Sequence, residues 1–149
     1  MKSTRMFHMI GSWSFMLLGI GHLATYFLLP TTPEQEHMMH NMKNFVINMP
    51  GPDSNLLLFH EGFSLMMGML LIGYGAINVF LIAEQNFYVP QSKHIPTLNL
   101  FVSLAAVVLS VVYFFIVPVV LTTISLLAFG WVYALTRRSS WTPQKRGAP

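Results

Sequence analysis

Residues 95–136 run without a single Asp, Glu, Lys or Arg, and residues 7–29 and 62–83 do the same. A charge-free apolar run of that length reads as a membrane-crossing helix, because a helix spans the hydrocarbon core in about 20 residues. Residues 56–61 extend the second run at its start. The third run is long enough for two crossings, and Pro118 near its middle is suited to ending one helix and opening the next. The expected spans are 7–29, 56–83, 96–117 and 118–136, with a very short turn between the last two. The chain therefore reads as all-α: a four-transmembrane-helix bundle forming one integral membrane domain over residues 1–138, with a flexible cytoplasmic tail at 139–149.

Only 9% of the residues are charged, against about 25% in soluble domains. Cysteine is absent. That excludes disulfides, thiolate metal sites, iron–sulfur clusters and quinone reduction by a CxxC pair. A net charge of +3 could point to nucleic acid, but the basic residues are placed for topology and no nucleic-acid partner is expected. With the N-terminus inside, Lys2, Arg5, Lys93, Arg137, Arg138, Lys145 and Arg146 are cytoplasmic and Lys43 alone is outside. This positive-inside bias predicts a multi-pass protein of a bacterial inner membrane with both termini cytoplasmic. The basic start followed by an apolar run has the look of a signal peptide. It is too long for one and has no small-x-small cleavage site before Pro30, so it counts as a span. Trp131 and Tyr133 fit an aromatic belt at the inner interface.

Residues 30–55 form the one sizeable extramembrane piece. Thr32-Pro33 followed by Glu34 and Glu36 is a helix start: a capping hydroxyl, a proline in the first turn, then acids at the positive dipole end. Met38, Met42, Phe45 and Met49 recur at helical spacing on one side. His37, His40, Asn44 and Asn48 lie opposite, and Asn48-Met-Pro-Gly-Pro-Asp stops the helix. The pattern predicts an amphipathic interfacial helix in the first extracytoplasmic loop, placed to cover the bundle at the level of His22 and His60. His37 and His40 read as a solvated polar face rather than a copper or zinc site, because the methionines face the other way.

Each span carries a polar or small face. These are His8, Gly11, Phe15, His22 and Tyr26; His60, Glu61, Ser64, Gly68, Gly75 and Asn78; Asn99, Ser103, Ala106, Ser110 and Tyr113; and Thr122, Ser125, Phe129, Tyr133 and Thr136. Hydrogen-bonding glue between helices accounts for most Ser and Thr positions, and close helix packing for the glycines. His8 and His94 read as ordinary polar anchors at the inner interface. The residues that stand out are His22, His60 and Glu61, since ionisable groups in a bilayer are costly and mark functional sites. At 1.5 Å per residue, His22 lies ~10 Å and the His60–Glu61 pair ~6–8 Å from the outer ends of their spans. Antiparallel neighbours would bring them into one layer, with Tyr26, Ser64, Thr122 and Ser125 as ligand-binding candidates beside it.

Three chemistries compete for His22, His60 and Glu61. Glu61 can lock helices by accepting a hydrogen bond from a histidine, or reach out to water. The three can form a lipophilic pocket, with Glu61 as acid or base and the histidines as its partners. His22 and His60 can ligate a haem or metal ion. A non-catalytic accessory subunit of a larger membrane complex is a further alternative, as is a homo-oligomer, and membrane lipids are partners in every case.

Gly19-Ile20-Gly21-His22 and Phe59-His60-Glu61-Gly62-Phe63-Ser64-Leu65 resemble segments of a group of small, uncharacterised four-helix bacterial integral membrane proteins. That group carries a GxGH motif late in its first span and an aromatic-xx-GF segment opening its second. The resemblance covers residues 10–83. It implies a four-span fold with His22 and residues 60–63 belonging together, and it implies no activity. Small multidrug transporters, membrane glutathione-dependent enzymes and membrane di-iron hydroxylases do not match. The His-plus-Glu set is similar to sterol isomerases in chemistry alone.

Overall fold

A computed structural model describes residues 2–28, 30–48, 54–83 and 94–139. The elements are α1 (Lys2–Leu28), α2 (Pro33–Asn44), β1 (Val46–Ile47), β2 (Ser54–Asn55), α3 (Leu56–Ala83), α4 (His94–Tyr113) and α5 (Ile116–Ser139). Segments Ser3–Leu28, Leu56–Ala83, His94–Tyr113 and Ile116–Arg138 are long and apolar enough to cross a membrane. The all-helical four-span bundle expected from the charge-free runs is the observed fold. Residues 84–93, Met49 and the expected tail from residue 140 onward lie outside the described residues, and Ser139 ends α5.

Two details differ from expectation. The break between the last two helices falls at Phe114–Phe115, ahead of Pro118, which instead occupies the first turn of α5. A first-turn N–H has no intrahelical acceptor, so proline is tolerated there at no cost. The α4 end is closed by the Phe114 N–H, which donates to Ser110 O at 3.0 Å. The first loop also holds a two-residue antiparallel ladder pairing Val46 with Asn55 and Ile47 with Ser54. It leads into α3, whose first turn is capped where Leu58 N donates to Asn55 Oδ1 at 3.0 Å.

Helix α2 begins as its sequence predicts. Thr32 is the N-cap and forms a reciprocal capping box with Gln35, and Pro33 follows at once. The apolar residues are shared differently from the expected face. Met39 and Met42 are half-buried, while Met38 and Phe45 are exposed. The helix ends at Asn44, earlier than the Pro-Gly-Pro stop signal, because the chain turns into β1. His37 and His40 stay on the exposed side, within hydrogen-bond reach of Asn41 and Asn44.

The Glu34 carboxyl is held below its ordinary range by its own backbone N–H and the Thr32 side chain. A depressed folded pKa gives stability above the unfolded value that is lost as pH falls through the folded one. Hydrogen-exchange protection of residues 33–44 should therefore weaken as pH drops below about 4.5, and less steeply in Glu34→Gln.

In the bundle, α1 packs against α3 on one side and α5 on the other, and α4 packs against α5. Glycines set the α1–α3 distance. A Cβ on Gly19 would lie 2.7 Å from Gly68 O, and one on Gly75 would lie 2.6 Å from Ser12 O. Such small-residue seams let membrane helices approach backbone to backbone.

The two helical hairpins differ in height. Ser125 of α5 bonds Gly11 O of α1, so the two residues are level. Counting an equal rise along both helices brings Ile116 beside Ile20, and α1 continues to Leu28, roughly 12 Å further. Independently, Asn99 of α4 bonds Asn78 of α3. The same count brings Tyr113 beside Ser64, and α3 continues to Leu56, again roughly 12 Å. At the α2 end, therefore, α1 and α3 rise above the α4–α5 turn and leave a notch.

Candidate functional site

The floor of the notch is the α4–α5 turn. Tyr113, Phe114, Phe115, Ile116 and Val117 are all exposed there. The walls are the last turns of α1 and the first turns of α3. Two rungs join them. His22 Nε2 lies 2.8 Å from Ser64 Oγ and 3.1 Å from Ser64 O, so an Nε2–H can donate to both. One turn beyond, the Tyr26 hydroxyl stands close to the Glu61 carboxylate. Spacings of four residues in α1 and three in α3 put both rungs on facing sides of antiparallel helices.

The candidate set is thus divided. His22 pairs with Ser64, Glu61 stands beside Tyr26, and His60 is exposed near them. About five full turns separate His60 from Asn78, and the same interval separates Tyr26 from His8. His8 and Asn78 face the bundle interior. His60 and Tyr26 therefore occupy the interior-facing direction of their helices, but at a height where α4 and α5 have ended. That explains why both are exposed. Nothing lies within 4 Å of a Cβ built on Gly21 or Gly62.

Thr122 and Ser125 are elsewhere. Thr122 Oγ1 donates to Pro118 O at 2.8 Å, and Ser125 Oγ to Gly11 O at 3.1 Å. Both are fully buried. The layer expected to hold them with His22 fails because α5 begins only level with Ile20. Ser125 bonds a backbone roughly 16 Å below His22. Their hydroxyls serve as glue within α5 and across to α1.

A second polar group occupies the opposite, basic end. His8, given above as an ordinary anchor, is 0% exposed. His8 Nε2 lies 3.0 Å from Asn78 Oδ1, which also accepts from Asn99 Nδ2 at 2.6 Å. The Tyr74 hydroxyl donates to Asn99 Oδ1 at 2.6 Å, and Asn78 Nδ2 donates to Tyr74 O. Phe129 of α5 closes the group, with its ring edge-on to His8 at 5.3 Å. The network ties α4 to α3, which otherwise approach each other little. The signal was present in the sequence. Asn78 and Asn99 are the lone side-chain amides of α3 and α4, each near the basic end of its helix and level with His8.

Among the described residues, no group of three or more His, Cys, Asp or Glu side chains converges as a metal site. With His22 committed to Ser64 and His60 outside that pair, the haem or metal alternative gains no support from this geometry. Fold and side chains together define a multi-pass membrane protein, an all-helical bundle with a notch at one end and a buried polar network at the other. No family model, curated protein or solved structure matches the chain.

Proposed function

We propose that this chain is a bacterial inner-membrane protein that binds a small lipophilic molecule in the notch above the α4–α5 turn. Both termini face the cytoplasm in this reading, which follows from the Lys and Arg distribution along the chain. The notch then opens in the outer leaflet. The observation that carries the proposal is the step of roughly 12 Å between the two hairpins. It leaves the interior-facing side chains Tyr26 and His60 over an apolar floor.

Ligand sites are concave and mostly apolar, with a few convergent polar groups. Here the floor supplies the apolar surface, and His22, Tyr26, His60 and Glu61 supply the polar groups. The spanning helices expose a coat of Leu, Val, Ile, Met and Phe, as contact with lipid requires. A polar ligand group can compete with Tyr26 for the Glu61 carboxylate, and that exchange would give Glu61 its role as acid or base.

A neutral iodophenyl trifluoromethyl diazirine tests this in nonionic detergent. Saturable photolabelling should concentrate on Tyr26, His60, Phe114 and Phe115. It should fall at least several-fold at Tyr26, Phe114 and Phe115 when His60→Trp fills the notch. Non-saturable labelling spread evenly over all lipid-facing residues would overturn the proposal.

A further inference from the structure

We infer that the occupant of the notch is a hydrophobic organic cation, its amine or onium charge against the Glu61 carboxylate and the Tyr26 ring. The inference rests on the notch being a ligand site and adds the charge of what enters it. Glu61 is the single acidic residue in the four spanning helices. Beyond Lys2 and Arg5 at the start of α1, neither α1 nor α3 contains a Lys or Arg, and among the described residues at the α2 end the sole formal cation is Lys43 of α2. Among the described residues, the group close to the carboxylate is a neutral phenol, Tyr26.

A carboxylate at the edge of an apolar site is costly without a compensating charge. Among the described residues a neutral phenol, not a Lys or Arg, stands beside Glu61, so the complementary charge arrives with the ligand. Aromatic faces favour the same sign, because their quadrupole attracts cations. Tyr26 stands beside Glu61, and Tyr113, Phe114 and Phe115 line the floor. The apolar turn at residues 113–117 suits a hydrophobic body, so a small hydrated amine would gain little there. Charge, ring placement and floor all point to a hydrophobic cation held by carboxylate and rings.

Tetraphenylphosphonium and tetraphenylborate are nearly isosteric ions of opposite charge. Equilibrium dialysis against the intact protein in an uncharged detergent should show saturable binding of tetraphenylphosphonium at one site per chain. Tetraphenylborate should show no saturable binding. Glu61→Gln should weaken cation binding at least tenfold, and Glu61→Asp should retain most of it. Both variants should elute as the wild type does and show its helical circular dichroism, which separates loss of the site from loss of the fold. Equal binding of the two ions, or unchanged cation binding in Glu61→Gln, would overturn the inference. If the neutral diazirine labels the notch saturably while tetraphenylphosphonium fails to bind, the ligand site stands and its charge preference falls. If neither binds saturably, both fall.

Discussion

Replacing Asn78 with Leu should destabilise the bundle by about 2 kcal/mol and loosen α4 more than any other helix. Asn78 Oδ1 is the shared acceptor for His8 Nε2 and Asn99 Nδ2. Leucine keeps the same branched heavy-atom shape with bulkier methyl ends, and the two donors are left facing hydrocarbon. An unsatisfied buried donor costs about 1–3 kcal/mol. Hydrogen bonds between membrane helices average nearer 0.6 kcal/mol, because the unfolded chain in the bilayer also finds partners. The estimate lies between those limits. Reversible unfolding in mixed micelles measures it. The double variant Asn78→Leu with Asn99→Leu should cost less than the sum of the singles, since the residues share one bond. Strict additivity would show that the network does not act as a unit.

Gly75→Ala should cost a similar amount through a different force. The new Cβ would lie against Met16 Cγ and 2.6 Å from Ser12 O, which belongs to the α1 backbone and has no rotamer to change. The helices must separate along the seam, and overpacking of this kind costs about 1–3 kcal/mol. Gly21→Ala and Gly62→Ala are the controls, with open space at the corresponding position. Those two should be neutral or slightly stabilising, because alanine is the better helix former by roughly 0.5–1 kcal/mol. The same unfolding assay ranks all three, and equal losses would rule out close approach as the cause.

Much of the fold was legible in the sequence because its determinants are local. Charge-free length marks each crossing, and Thr32, Pro33 and Gln35 mark the start of α2 within one helical turn. The Phe114–Phe115 break was displaced toward Pro118 because proline marks the neighbourhood of a helix start without fixing which first-turn position it takes. The two rungs between α1 and α3 were partly legible. His22, Tyr26, Glu61 and Ser64 were all singled out, but the pairing was not, since adjacent residues such as His60 and Glu61 point ~100° apart on a helix. His8 was misjudged because nearness to a chain end resembles nearness to water. Burial came from Asn78, Asn99 and Phe129, which are brought together by three other helices.

By itself, the sequence determined that four helices are long and apolar enough to cross a membrane, and that one carboxylate and four histidines ride on them. Those properties follow from length and hydropathy along the chain. The tertiary structure decided which of those groups are enclosed. Enclosure depends on the relative heights of helices distant in sequence. The α4–α5 hairpin stops roughly 12 Å short of α1 and α3, so the same helix direction that buries His8 and Asn78 at one end leaves Tyr26 and His60 open at the other.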